Sequence, residues 1–558
     1  MAHDAYDVTV IGSGAGGGSV AWRLASRGVR VLLLEAGPAY DYRKDYRLDR
    51  ENWEQSSFPS RADEHESYSF APLQLLDPRW AELASWSHLY GKSALPPRRR
   101  TGSYQHVQGV GGSTLHFLAE AHRLHPAALR MRSRFDVSAD WPLDYAELEP
   151  YYLEAERFIG VAGPSTEATR WRSAPYPLPA HRLSYASQKV EEGCRRLGLT
   201  LSANPLGILS EPRDGRPACN YCANCVRGCP RADKASVDVT FIAKAVRTGR
   251  CTLRAESRVM RIEAGRADKV SHVVYLDRQG VSRRVASRAV VVACGAVHTP
   301  RLLLASSGRG APEGLANESG QVGKHFMETV AWVGSALHPE ALGSHRGVPS
   351  DSIVWDFNAP DAIPGVIGGC RFTPGAAQAG LTGPIGYANR VVTGWGRAHR
   401  ARLRETFGRV VSLVALGESL PNKSSFVDLD PEQKDARGMP LARIHSHLED
   451  DAMQRLSFMA AKTREILEAS GARDIFEEQG TYDAFNSTHV FGTCRMGDDP
   501  AQSVVDANGR SHRWRNLYIA DASVFPSSGG GEAPSLTIEA LGIRTADKLR
   551  AALQRRDI

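Results

Sequence analysis

Apolar positions in the first forty residues fall into two short runs with a glycine-rich break between them. Tyr6 to Ile11 (YDVTVI) alternates and then turns wholly apolar, the pattern of a strand that ends buried on both faces. It runs directly into GSGAGG, after which Ser19 to Ser26 reads as helix. Past Gly28 the run VRVLLLEAG reads as a second buried strand ending at Glu35. The pattern therefore predicts strand, glycine turn, helix and strand in succession. Nowhere does an apolar run approach the roughly 18 to 20 residues that a membrane-spanning helix needs, so no span is expected.

The turn itself carries chemistry. Gly12, Gly14 and Gly17 stand at G-x-G-x-x-G spacing. The first glycine permits the tight turn, the second lets a pyrophosphate approach the backbone, and the third lets helix and strand pack; the helix N-terminus then faces the phosphates. Glu35 is placed to accept hydrogen bonds from a ribose diol. Strands on both sides and an acid at the right distance mark a Rossmann-like dinucleotide site, and nothing in this unit chooses between FAD and NAD.

At 558 residues the chain calls for two domains, or one large domain with an elaborate second lobe. A 42% hydrophobic and 23% charged composition is that of an ordinary soluble globular protein. The formal charge of +7 is mild, and its densest patches, PPRRRTG from Pro96 to Gly102 and RSHRWR near Arg510, are short and read as solvated loops. With no helix-turn-helix, finger or stacking motif beside them, nucleic acid is not an expected partner. The start, MAHDAYDVTVIGSG, has no basic n-region and no cleavable apolar stretch, so cytoplasmic folding is expected.

Further blocks complete the pattern. HVQGVGGSTLHF (His106 to Phe117), DWPLDYAELEPYY (Asp140 to Tyr152) and GAVHTPRLLLASSG (Gly295 to Gly308) are followed by THVFGTCRMG (Thr488 to Gly497), NLYIADASVFP (Asn516 to Pro526) and SLTIEALGIRTAD. In that order and spacing the chain resembles the glucose-methanol-choline family of FAD oxidoreductases, least so between Met327 and Glu478. The resemblance implies FAD and an α/β fold, α+β overall. A Rossmann-like FAD-binding domain would be drawn from 1–155, 231–326 and 479–558, a cysteine-loop and linking segment from 156–230, and a substrate domain on a mixed or antiparallel sheet from 327–478.

Residue by residue, the resemblance implies that Gly12, Gly14, Gly17 and Glu35 hold the ADP part. Gly111, Gly112, Ser113 and Thr114 would run beside the pyrophosphate and flavin, and Asp521 with Ala522 would close the cofactor site. His489 would be the base. The expected reaction is oxidation of an alcohol, a sugar carbinol included, and it needs a base because hydride leaves a carbinol carbon readily only as the hydroxyl proton is withdrawn. His116 stands where some relatives bond a histidine to the flavin and others keep it beside free FAD. The family usually places Asn or His before the proline that leads into the last helix, whereas this sequence has Ala533 there, with Glu532 beside it and Gly529 to Gly531 ahead. Three readings follow: Glu532 reaches in as the second polar group, His489 works without one, or the chemistry differs, as in lyases that keep FAD only structurally.

Cys219, Cys222, Cys225, Cys229 and Pro230 match C-x2-C-x2-C-x3-C-P, the spacing of bacterial ferredoxins. Either Cys229 closes a four-iron (4Fe-4S) cluster, or three cysteines hold a three-iron (3Fe-4S) one, or zinc or plain thiols occupy the loop. Resembling dehydrogenases pass electrons through a cluster here to a cytochrome, and some are exported to the periplasm with a small signal-bearing subunit. A small subunit and a cytochrome or quinone acceptor are thus expected partners if a cluster is present, and oxygen the competing acceptor if it is not.

Overall fold

The computed structural model describes residues 6–51, 53–55, 67–92, 99–165, 170–375 and 379–558. Its nucleotide half is a five-stranded, fully parallel sheet in the order Cys251–Arg254, Val31–Leu34 (β2), Tyr6–Ile11 (β1), Ser287–Val292 and Leu517–Ile519. The apolar runs explain the arrangement: Val8, Val10, Leu32, Leu33, Val291 and Val292 are buried, as a sheet covered on both faces requires.

The helix after the glycine turn begins earlier than its apolar pattern suggests. It spans Ala15–Ser26 (α1), taking Gly16, Gly17 and Gly18 into its first two turns. These glycines lower helix propensity, which hides the start in the sequence, but space demands them. A Cβ on Gly16 would stand 1.6 Å from the Ala520 carbonyl oxygen, and one on Gly17 would stand 1.9 Å from that of Gly12. The last helix, Ser535–Arg555, lies against α1, joined by the Arg23 guanidinium donating to both oxygens of Asp547 at 2.8 and 2.7 Å.

The second half is an eight-stranded sheet in which every adjacent pair is antiparallel, so its antiparallel form holds throughout. Four of its strands, Val330–Leu337, Ser352–Val354, Cys370–Pro374 and Val410–Gly417, and most of a fifth, Arg473–Gly480, lie within 327–478; Trp86–Ser87, Gly91–Lys92 and Leu201–Ala203 come from far earlier in the chain. Helix Asp450–Ala469 covers one face, packing Leu456, Met459 and Ala460 on Trp332, Leu413 and Ala415. Gly334 lets it approach, since a Cβ there would stand 2.8 Å from Thr463. Alternation along Cys370–Pro374 turns Cys370 toward that helix and Arg371 to the opposite face, toward the nucleotide half. Among the described residues no helix is long and apolar enough to cross a membrane.

One basic patch departs from the expectation of solvated loops. Pro96 to Arg98 lie outside the described residues, and Arg99 donates to the Leu73 carbonyl at 2.9 Å. Arg100, however, is buried and donates to both Glu328 oxygens at 2.6 and 2.8 Å, because a carboxylate inside the fold compensates its charge. Near Arg510 the pattern is mixed: Arg513 and Arg515 are exposed, and Trp514 between them is buried.

Candidate active site

A cavity of about 530 Å³ runs from the glycine turn to the face of the antiparallel sheet. Gly12, Ser13, Gly14, Glu35 and Ala36 line its outer end, Gly112 to Thr114 with Asp521 and Ala522 its middle, and His116, Glu120, Leu416, His489, Ala533 and Pro534 its inner end. Gly12 has φ +91°, and a Cβ on it would stand 2.4 Å from the Ala293 carbonyl oxygen. Gly112, with φ +56°, brings a second glycine loop against the first: a Cβ on it would stand 3.0 Å from the Gly14 Cα. The two loops form a cradle that side chains would fill. Gly17 and Gly111 stand behind this wall, and Gly111 donates its N–H to Ser13 Oγ at 3.2 Å.

Glu35 is buried, which pushes its carboxyl up; three hydrogen bonds, from Ser13 N (3.0 Å), Ser13 Oγ (2.7 Å) and Gly37 N (2.9 Å), favour its ionised form. Asp521 accepts from Gly295 N (2.9 Å), Thr299 Oγ1 (2.6 Å) and Ser523 N (2.8 Å), so it caps the short turn Ala522–Val524 and ties it to the first turn of the helix Gly295–Ala305 at the cavity wall. Thr114 Oγ1 donates to the Gly111 carbonyl at 2.6 Å and fixes the second loop. Histidines also line the cavity: both ring nitrogens of His106, and Nε2 of His298, are buried without a hydrogen bond among the described residues. A backbone cradle that excludes side chains, an anchored acid and orphaned buried nitrogens together fit a bound dinucleotide.

At the inner end His489 precedes the short strand Val490–Phe491, and its carbonyl accepts from Thr329 N (3.1 Å) and Ser487 Oγ (2.9 Å). Its ring takes no hydrogen bond from the described residues. Burial first, then the nearby Arg371 cation, lowers its pKa to about 4, so the imidazole is neutral at neutral pH. His116 instead holds Val226 through Nδ1 and that carbonyl, 2.6 Å apart.

Ala533 lines the cavity, and Glu532 does not. With Gly529 at φ +76° and Gly531 at φ +90°, the loop turns the Glu532 carboxylate away, where Oε1 accepts from His125 N (3.0 Å) and Asn358 Nδ2 (2.9 Å) beside Arg170. The inward shift of Glu532 raised by the sequence is therefore not seen: its partners lie outside the cavity. Ala533 N–H donates to His122 Nδ1 at 3.0 Å.

The structure does not gather the four cysteines into a metal site. Among the described residues no three His, Cys, Asp or Glu side chains are placed to hold a metal ion. Cys229 Sγ donates to Asp233 Oδ1 at 3.1 Å, and Cys219 Sγ accepts from Tyr221 N at 3.4 Å. Burial pushes Cys219 up to about 12 and Cys229 up to about 11, and raises Cys222 and Cys225 as well, so the four are thiols. The donor set as folded does not fit a cluster. The loop still bears on the cavity, because Val226 lines it and Lys234 Nζ ties the Cys225 carbonyl to those of Leu115 and Phe117 at 2.8 to 3.1 Å.

Glu120 at the inner end, and Arg371 paired with it behind the wall, are charged residues that the sequence reading missed. An arginine amid the buried strand CRFTP was a usable signal, because an interior charge needs a partner; Glu120, in FLAEAHRL, gave none.

Comparison with known proteins agrees with this geometry. Two family profiles described as GMC oxidoreductase match residues 127–337 and 421–542, and one described as NAD(P)-binding Rossmann-like domain matches 10–40. The chain is 28% identical over 557 residues to 2-methyl-1,2-propanediol dehydrogenase of Mycolicibacterium austroafricanum, covering 98% of this chain and 95% of that protein. It is 28% identical to the fructose dehydrogenase large subunit of Gluconobacter japonicus, covering 97% of each. It is 30% identical to paromamine 6'-oxidase of Streptomyces fradiae, covering 97% of this chain and 90% of that protein. In fold it is similar to pyridoxine 4-oxidase from Mesorbium loti, with a TM-score of 0.64 at 20% identity over 98% of this chain and 99% of that one. Sequence blocks, parallel sheet and paired glycine loops thus converge, and the chain belongs to the GMC oxidoreductase family.

Proposed function

We propose that this FAD-dependent oxidoreductase oxidises an alcohol at the inner end of the cavity, with His489 as the base. Gly12, Gly14 and Glu35 would hold the ADP part, and Gly112 to Thr114 with Asp521 and Ala522 the rest of the cofactor. Bound there, FAD supplies the acceptor for a hydride. The chain supplies the rest. Leu416, Phe117 and Pro534 give the inner end apolar walls that exclude water, and His489 takes the hydroxyl proton. The observation that carries the reading is the neutral His489 ring, without a hydrogen bond from the described residues, at the end of a cavity whose other end is a dinucleotide cradle.

The relatives above are named for diol, sugar and aminoglycoside chemistry, which supports a hydroxylated substrate. No step is routed through the cysteine loop, whose sulfurs are not gathered. An acceptor outside the chain, oxygen or a partner protein, takes the electrons; the large-subunit relative supports the latter.

Replacing His489 by Ala should leave FAD bound and slow anaerobic flavin reduction by alcohol by about 10²-fold or more. Reduction at the wild-type rate would remove His489 from the role. A flavin that no alcohol bleaches in the wild-type protein would favour a lyase on the same scaffold.

A further inference from the structure

The residue facing His489's end of the cavity is Ala533, which can donate or accept nothing through its side chain. A closed hydrogen-bond circuit stands around it instead. Ala533 N–H donates to His122 Nδ1, and His122 Nε2 then donates to Asn204 Oδ1 at 2.8 Å. Asn204 Nδ2 donates to Glu120 Oε1 at 3.2 Å and to the Ser350 carbonyl at 2.9 Å. Arg371 donates from Nη1 to Glu120 Oε1 at 3.2 Å and from Nη2 to Oε2, while its Nε returns to the Gly531 carbonyl at 2.7 Å. The circuit leaves the 531–533 segment at one end and rejoins it at the other, so Glu120 is fixed relative to the loop opposite His489.

Glu120 is the one carboxylate in the inner-end wall among the described residues. Its oxygens offer about four acceptor directions. Asn204 and Arg371 take two at Oε1, and Arg371 takes one at Oε2. One acceptor direction at Oε2 is left, on a side chain only 8% exposed that borders the cavity. Oε2 is already satisfied by Arg371, and the direction that remains is open to a donor from a ligand or water in the cavity. Because the guanidinium compensates the charge, the position suits a neutral donor better than a cation.

We propose that Glu120, held by Arg371 and Asn204, forms a subsite that accepts a hydrogen bond from a second hydroxyl of the substrate. The enzyme then selects diols and polyols over simple alcohols. This rests on the alcohol-oxidation reading and adds a substrate class and a specificity residue to it. Glu120 acts by positioning, and His489 remains the base.

The test is anaerobic flavin reduction of FAD-loaded protein by propane-1,2-diol, propan-1-ol and 1-aminopropan-2-ol. The wild type should favour the diol over the mono-alcohol by at least about tenfold in reduction rate over dissociation constant, the scale of one hydrogen bond to a charged acceptor. Glu120→Gln removes the charge but leaves Arg371 without its counterion; Glu120→Asp keeps the charge and withdraws it by one methylene. Both should shrink the ratio toward one, mostly through the dissociation constant, in protein whose flavin content and melting temperature verify the fold.

A ratio unchanged in Glu120→Asp, or no diol preference in the wild type, overturns the subsite. A preference for the amine that falls in Glu120→Gln also overturns the hydroxyl form and assigns the position to a cation. If neither alcohol reduces the wild-type flavin, the alcohol reading fails first, and the subsite fails with it.

Discussion

His489 owes its neutrality to burial more than to any one neighbour, and the sign of that effect sets the pH behaviour. An ordinary histidine titrates near 6.5; this one is lowered to about 4, so the unprotonated imidazole proposed as the base persists through weakly acidic pH. Flavin reduction by alcohol should therefore be level from about pH 8 to 5.5 and fall about tenfold per unit below pH 4. Stopped-flow reduction across that range checks it, and an acid limb centred near 6.5 would show that the bound cofactor and substrate undo the desolvation. The histidine could be found from THVFGTCRMG because its motif is local. Glu120 could not: the arginine in CRFTP signals that a partner is needed, but the two meet across 251 residues and no short pattern encodes which carboxylate it meets. The direction of Glu532 was hidden for a related reason: His125 and Asn358, from other segments, choose which way a glycine-flanked side chain turns.

At the scale of elements, α1 shows where local propensity and packing disagree. Alanine favours a helix over glycine by about 1 kcal/mol, so propensity alone predicts that Gly16→Ala stabilises the protein. The Cβ would stand 1.6 Å from the Ala520 carbonyl oxygen, backbone that cannot rotate away, and overpacking here should cost about 3 kcal/mol or more. The expected result is a lower melting temperature and weakened FAD retention; a variant as stable as the wild type would mean that the helix has room to lift. The same contact explains what was legible. Strand β1, the glycine fingerprint and strand β2 stood out because apolar runs and glycine spacing are local, whereas the helix start at Ala15 was concealed by the glycines that its packing requires. The eight-stranded sheet was harder still, because Trp86–Ser87, Gly91–Lys92 and Leu201–Ala203 are short pieces that join it only through distant pairing.

Across the whole molecule, one buried ion pair ties separate segments together beside His489. Arg100 donates to Glu328 at 2.6 and 2.8 Å, to the Thr481 carbonyl at 2.8 Å and to Ser446 Oγ at 3.1 Å. Thr481 follows a strand of the antiparallel sheet, and Glu328 pairs with Val490, the neighbour of His489. The pair thus sets the second sheet against the strand that follows His489. Both side chains are almost fully buried, so neither can fall back on water if the other is lost. Arg100→Met should cost about 3–5 kcal/mol, because it strands the Glu328 carboxylate. Adding Glu328→Leu should restore most of that loss, since it removes the stranded charge and leaves apolar surface in its place. Thermal melts of the wild type, both single variants and the double variant give the cycle. The order expected has the double variant above Arg100→Met, and its placement below the single variant would mean that the charges, beyond satisfying each other, hold the surrounding backbone in register.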